Sequence, residues 1–309
     1  MYRCSRDDGY AADVNDGYVY SEIIGADVVA DEVVLAYMVR SHRHSDAATW
    51  AARIAAGEVF VDDVGATATT PLHRGQRLDW RKPPWAEPAV PMDVGVLFDD
   101  DDLIAVHKPA GLPTLPGSGF LQHTLLAIVR ALAPSASPVH RLDRGTSGIV
   151  LFVKHAEAAR HVQRQWDMHT VTKVYRAVVT GVVVDDVVVV EAAIGAALDL
   201  HGELFVAAAN GKRARSTFRV VERRATTTLC DVEIETGRPH QIRIHAGVIG
   251  HPLVDDPVYG VGGVRRAGST ARPGESGPLL HAHTLTIVHP RTGEPLTITA
   301  PPPSVLSAR

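Results

Sequence analysis

The chain has 309 residues, 45% of them hydrophobic and 21% charged, with a formal net charge of −4. That length carries two domains, or one large domain with an accessory module, and enough apolar sequence for a substantial core. No window approaches the roughly 18 continuous apolar residues of a membrane span, and the start Met1-Tyr2-Arg3-Cys4 lacks a secretory pattern. Cys4 and Cys230 are too few for a disulfide framework or a cysteine metal cluster, so a cytoplasmic globular protein with reduced thiols is expected.

The negative total hides an uneven distribution. Residues 1–39 set Arg3 and Arg6 against Asp7, Asp8, Asp13, Asp16, Glu22, Asp27, Asp31 and Glu32. Residues 205–245 set Lys212, Arg213, Arg215, Arg219, Arg223, Arg224, Arg238 and Arg243 against Glu222, Asp231, Glu233 and Glu235. A local basic surface for phosphates is therefore available, although any one of these arginines reads equally well as a solvated strand-edge residue.

Residues 1–25, rich in Asp and Gly, read as a loosely ordered extension. Residues 26–88 form a small module, in which 46–56 has helical composition with Trp50 and Ile54 on one face, Ser45 as N-cap and Gly57 as C-cap. A strand over 58–63, a turn and second strand within 72–80, and a stiff Pro83-Pro84-Trp85-Ala86-Glu87-Pro88 linker follow. This helix, Gly, strand and Gly75-Gln76-Arg77-Leu78 turn resembles the small RNA-binding module first described in a ribosomal protein. Arg40, Arg43, Arg53 and Arg74 are its candidate RNA contacts, joined by Lys212, Arg213 and Arg215 of the basic stretch; a structural spacer is the other reading.

From Val94 on, strands dominate and helices are inserted. Strands are expected over 94–98 and 103–107, flanking Asp99-Asp100-Asp101-Asp102, which reads as a solvated hairpin tip because cation loops space their ligands at alternate positions. Helices are expected over 124–132 and 156–168, and strands over 149–154, 173–180, 216–221, 229–235, 279–289 and 296–299, with 182–190 as strand, turn, strand. Residues 261–278, rich in Gly, Arg, Ser and Pro, read as a long mobile loop.

Asp143 lies where one apolar strand delivers a polar loop and another leaves it, in Pro138-Val139-His140-Arg141-Leu142-Asp143-Arg144-Gly145-Thr146-Ser147-Gly148. A carboxylate flanked by Arg141 and Arg144 stays ionised and suits a nucleophile or base; on local grammar alone it suits a turn cap as well. His140, Asp143 and Ser147 are too close in one loop for a hydrolase triad, and Ser147 has no Gly-x-Ser-x-Gly elbow. The 16 histidines include the pairs His42/His44 and His281/His283 but no His-Glu-x-x-His, so no metal site is assigned.

His140-Arg141-Leu142-Asp143 with Thr146-Ser147-Gly148 resembles the central motif of the RluA family of pseudouridine synthases. Lys173-Val174-Tyr175-Arg176-Ala177 and Thr236-Gly237-Arg238-Pro239-His240-Gln241-Ile242-Arg243-Ile244-His245 are similar to two further motifs of that family, in the same order. Val106 to Thr114, Gly250-His251-Pro252-Leu253 and Asp256-Pro257-Val258-Tyr259-Gly260 extend the likeness over roughly 94–300. Gly145, where an acidic residue is common, and Asp255, where Gly is common, depart from the pattern.

The resemblance implies an α+β pseudouridine-synthase fold: a mixed, mostly antiparallel β-sheet core with flanking helices over 89–309, plus the small N-terminal α/β module. It implies isomerisation of uridine to pseudouridine in structured rRNA or tRNA, without a cofactor, with Asp143 as nucleophile, Tyr175 stacking on the flipped base and assisting C5 deprotonation, and Arg243 pairing with Asp143. β-alternation from Gln241 favours Arg243 over Arg238 for that last role. Arg141, Leu142, Thr146, Gly148, Arg238, His240, Gln241 and Ile244 are the implied substrate contacts. A monomer is expected, and a catalytically silent RNA-binding relative and a two-carboxylate hydrolase are the alternatives.

Overall fold

Long β-branched and aliphatic runs such as LIAVHK and SGIVLFV favour strands buried on both faces. The computed structural model describes residues 14–199, 202–271 and 277–309. They fall into two units, 14–87 and 88–309.

The first unit comprises β1 (Tyr18–Ile23), α1 (Val34–Ser41), α2 (Ala47–Ala55), β2 (Val59–Val61), β3 (Val64–Gly65) and β4 (Arg77–Lys82). Its sheet runs β1-β4-β2-β3, and Val34, Met38, Trp50 and Ile54 of the helices bury against Val59, Val61, Leu78 and Trp80. The expected loose extension over 1–25 is overturned for 18–23, which pair with all of β4; residues 1–13 lie outside the described residues. The N-cap of α2 is Asp46, whose carboxylate accepts from the Thr49 amide at 2.8 Å, rather than Ser45, whose Oγ accepts from Arg53 at 2.9 Å. Residues 83–87 are no free linker: Asn15 donates to the Trp85 carbonyl at 3.1 Å and to Glu87 at 2.7 Å.

The second unit comprises β5 (Gly95–Asp99), β6 (Leu103–Lys108), α3 (Leu125–Leu132), β7 (Ser137–Pro138), β8 (Ser147–Val153), α4 (Ala156–Asp167), β9 (Thr172–Thr180), β10 (Val187–Val190), β11 (Ile194–Asp199), β12 (Gly202–Ala207), β13 (Ser216–Arg223), β14 (Thr227–Ile234), α5 (Gln241–Val248), β15 (Leu280–Val288) and β16 (Pro295–Thr299). The large sheet runs β10-β13-β14-β9-β15-β8-β6-β5, with β16 on β15 and β7 on β8. Its pairs are antiparallel except β8 with β15. α3 packs on Ile104, Val106, Val150 and Phe152, and α4 on the alternate residues Leu103, Ala105, Leu151 and Val153, so both faces of β6 and β8 are dry.

Three expectations fail here. Of 182–190 only Val187–Val190 is strand. Asp102 is buried rather than solvated: Arg291 (2.6 Å) and His155 (2.8 Å) hold it, and Arg291 is the main cause of a pKa lowered to about 2. Asp100 accepts from the Asp102 and Leu103 amides and pairs with His289, so the Asp100, Asp102 and His289 cluster is engaged by protein partners.

The third is the alternation assumed from Gln241: residues 241–248 form α5. Every side chain from Gln241 to Gly247 is buried, so the helix has no polar face and leaves no 3.6-residue period to read. The β11–β12 hairpin, a separate two-stranded sheet, was not anticipated. The mobile loop expected over 261–278 falls partly on 272–276, outside the described residues. Among the described residues no helix is long and apolar enough to cross a membrane.

Gly148 marks the tightest approach in this sheet. Its φ is +116°, and a Cβ there would lie 2.2 Å from the Ala282 carbonyl oxygen of β15. Gly148→Ala is expected to cost at least about 2 kcal/mol in chemical denaturation. Gly237→Ala, with nothing within 4 Å and no positive φ, serves as the neutral comparison.

Candidate active site

β7 ends at Pro138 and β8 begins at Ser147, which leaves 139–146 as the loop carrying Asp143. Several buried groups hold this loop. Thr114 Oγ1 donates to the Leu142 carbonyl at 2.7 Å and accepts from its amide at 3.2 Å, and the Thr146 amide donates to the Asp143 carbonyl at 3.0 Å. The fully buried Lys108 donates to the carbonyls of Pro109 (3.0 Å), Leu112 (2.7 Å) and Arg144 (3.1 Å). Burial lowers its pKa to about 7 against the attraction of Asp143.

The loop histidine is structural. His140 Nε2 accepts from the Leu151 amide at 3.1 Å, its ring stacks on Trp166, and burial, then Lys173, lower its pKa to about 4. Ser147 Oγ lies 2.9 Å from Nδ1 of His281, whose Nε2 faces the Ala300 carbonyl at 3.3 Å. The neutral His281 tautomer that satisfies both donates from Nε2 and accepts the Ser147 proton at Nδ1. Burial lowers its pKa to about 4. With His140 and Ser147 so engaged, the loop is no hydrolase triad.

Asp143 is 26% exposed, and its Oδ2 lies 3.6 Å from Nη1 of Arg243 and 3.7 Å from Nε2 of His240. The full fork of Arg243 belongs to another residue. Nε and Nη2 each donate to Asp256 at 2.7 Å, and the guanidinium lies over the Tyr259 ring at 4.9 Å. Burial opposes this charge, but Asp256 and then Asp143 raise the pKa, so Arg243 stays a cation. Asp256 also accepts from the amides of Val258 (2.9 Å) and Tyr259 (3.0 Å), which completes a buried carboxylate's hydrogen bonds.

His240 begins α5 in the left-handed conformation, φ 55°, a strain that costs of order 1–3 kcal/mol. The Tyr259 hydroxyl donates to the Phe205 carbonyl at 2.9 Å and so accepts from His240 Nδ1 at 2.7 Å. That leaves Nε2 of His240 facing Asp143. Burial lowers the His240 pKa, against the opposing field of Asp143.

These groups line an open cleft of about 990 Å³. Asp143, Tyr175 and Arg243 all reach it, together with Arg141, Leu142, Thr146, Arg238, His240 and Gln241. Gly148 and Ile244 do not: Gly148 serves the β8–β15 approach, and Ile244 packs with Val258 and Tyr259. Gln241 is buried, and its amide is already bonded to Thr236, Ser216, the Arg215 carbonyl and the Arg238 amide, so it shapes the cleft wall. Tyr175, on β9, has its pKa raised by burial and then by Asp143, so the phenol stays neutral. It can stack on a base and donate a hydrogen bond.

The candidate RNA contacts divide. Arg43, Arg74 and Lys212 are exposed, and Arg213 faces Glu235 at 3.7 Å. Arg40 is tied to Glu32, Arg215 to Glu191 and Glu235, and Arg53 to Ser45. Lys108, Thr114, Asp256 and Tyr259 stand in the motif stretches with nothing in the sequence to assign them a role, because no local signal marks a lysine or carboxylate for burial. Phe205 and Glu203, from the unanticipated hairpin, also line the cleft.

The RNA pseudouridylate synthase family model matches residues 102–247, which include Asp143, Tyr175 and Arg243. An uncharacterized RNA pseudouridine synthase of Synechocystis is 38% identical over 278 residues, 89% of this chain and 96% of that protein. The chain belongs to the RNA pseudouridine synthases. It is an RluA-type isomerase of uridine in RNA. The ribosomal large subunit pseudouridine synthase D of Nitrosomonas europaea is 36% identical, covering 85% of this chain and 74% of that one. The fold is that of the human RNA pseudouridylate synthase domain containing 1, with a TM-score of 0.54 at 24% identity over 70% of this chain and 86% of that one.

Two measurements test the pairings. Asp256→Asn leaves a buried arginine without its main countercharge, and a loss of about 3 kcal/mol in chemical denaturation is expected. His281 binds its proton near pH 4 folded and near about 6.5 unfolded. The unfolded state therefore takes up protons first, so stability is level above the unfolded value and falls as pH drops towards 4. His140 adds to the same window. His281→Gln is expected to reduce the slope of stability against pH there by about one proton; an unchanged slope would refute a neutral buried His281.

Proposed function

We propose that Asp143 is the nucleophile of a pseudouridine synthase acting on structured RNA, ribosomal or transfer. The observation that carries this is the half-buried Asp143 carboxylate facing Arg243, a cation that Asp256 anchors from behind. Such a charge, fixed before substrate arrives, aims the carboxylate.

A uridine turned out of its RNA enters the cleft, with Tyr175 available to stack on the base. A carboxylate oxygen of Asp143 bonds to the uridine, at the ribose C1′ or the uracil ring, and the C1′–N1 bond breaks. The uracil turns, C5 bonds to C1′, the bond to Asp143 breaks, C5 loses its proton and N1 gains one. The product is an isomer of the reactant, so electrons balance without an oxidant or reductant. A neutral Tyr175 phenol contributes its ring and its hydrogen bond while a carboxylate or water removes the C5 proton. Arg141, Arg238 and His240 sit at the cleft to meet phosphate or ribose.

Ribosomal RNA as substrate is supported by the relative named as a large-subunit synthase. Bulk RNA carrying C5-tritiated uridine provides the test. Wild-type protein is expected to release tritium and leave chains intact, Asp143→Ala to fall to background, and Tyr175→Phe to retain a reduced rate. Full release by Asp143→Ala would sink the nucleophile assignment; free uracil would point to a hydrolase, and silence on total cellular RNA to a catalytically silent RNA-binding relative.

A further inference from the structure

A second surface with nucleotide chemistry lies in the first unit, on the β1 edge of its sheet. Tyr18 pairs opposite Lys82 and Tyr20 opposite Trp80, so these four side chains share one face. It is the face that carries the helices, but the helices do not cover all of it: Tyr18 is 46% exposed and Tyr20 45%. Tyr20 stacks on Trp80 with ring centroids 5.1 Å apart, and Tyr18 meets Tyr20 edge-on at 4.6 Å. Glu22, next on that face of β1, is occupied by Tyr37 and His42.

Two cations lie beside this cluster. Arg53 lies over Trp80 at 4.4 Å and Trp50 at 4.6 Å, and Lys82 over the neighbouring Trp85 at 3.2 Å; His44, its pKa lowered mainly by burial, stacks on Trp80 at 5.8 Å. Arg53 and Lys82 repel one another: after burial, Arg53 is the main cause of the lowered Lys82 pKa, against the fields of Glu87 and of Glu58, which accepts from Trp80 Nε1 at 2.9 Å. Among the described residues, neither has a carboxylate at ion-pair distance. Two mutually repelling cations beside exposed tyrosine rings are complementary to an anion with an aromatic body.

We propose that Tyr18, Tyr20, Arg53 and Lys82 bind an unpaired nucleotide of single-stranded RNA, its base on the exposed tyrosine rings and its phosphate at the two cations. Stacking on tyrosine tolerates any base, and the basic neighbours track the backbone, the combination used by single-strand platforms. A duplex, whose bases are already stacked on one another, offers no free face to these rings. The site gives the first unit a preference for looped or frayed segments of the substrate. The inference rests on the reading of structured RNA as substrate.

The test uses the full chain and an unstructured RNA of about ten nucleotides carrying one 2-aminopurine, with a duplex of the same length as competitor. Stacking is expected to quench the 2-aminopurine, and the duplex to compete poorly. Tyr18→Val with Tyr20→Val is expected to weaken binding about tenfold, and Lys82→Gln to weaken it and flatten its salt dependence. Tyr18→Val alone leaves the Tyr20–Trp80 stack in place and is expected to weaken binding while melting as wild type does. Wild-type binding without quenching, equal competition by the duplex, no binding at all, or undiminished binding by the tyrosine variants would each overturn the proposal. So would variants that change self-association and leave RNA affinity alone. Tritium release by the same wild-type preparation is read separately, so its failure would count against the catalytic reading and leave the oligonucleotide result standing.

Discussion

The catalytic unit depends on one buried charge arrangement, Arg243 between Asp256 and Asp143. A guanidinium that is 1% exposed is tolerable only if its charge and donors are met, and Asp256 meets them with two bonds of 2.7 Å. The remaining Nη1 is left facing Asp143 at a looser 3.6 Å. This division of labour is chemically apt. A carboxylate locked in a tight fork is held at both oxygens, whereas one in a positive field from slightly farther away is oriented and still free to move.

The surrounding structure serves to keep that field in register. Lys108 and Thr114 fasten the Asp143 loop from upstream, the loop's own His140 accepts from the Leu151 amide of β8, and His281 of β15 holds Ser147, where β8 begins. Nearly all of these contacts use a backbone carbonyl or amide as partner. The loop's path is thereby set largely by backbone groups, which leaves Arg141, Asp143, Arg144 and Thr146 lining the cleft. His240, held left-handed at the start of α5, shows the complementary arrangement, in which local strain is accepted to aim one ring nitrogen at the carboxylate.

Much of this was legible in the sequence. The strands of the large sheet announce themselves through β-branched runs, and Asp143, Tyr175 and Arg243 stand in three ordered motifs that the structure brings to one cleft. The strand alternation that favours Arg243 over Arg238 does not exist in the fold; α5, buried on every side from Gln241 to Gly247, carries no amphipathic period in its sequence. Asp256 and Lys108 were invisible for a related reason, since burial of a charge is decided by distant partners. The early strand β1 is masked by its acidic, glycine-rich surroundings, and the motif resemblance that implies Gly148 and Ile244 as substrate contacts carries no side-chain direction: neither lines the cleft.

The position of β15 has a temporal meaning. This strand, close to the end of the chain, lies in the middle of the large sheet, between β9, which carries Tyr175, and β8, which follows the Asp143 loop. Until residues 280–288 are in place, the two flanks of the sheet have no shared strand and Asp143 has no fixed relation to Tyr175. Synthesis therefore passes through a stage in which β8, β9 and the Asp143 loop exist without the strand that joins them, and the non-local pairing that closes this gap carries the loop-closure cost that slows folding. Assembly of the cleft waits on that pairing.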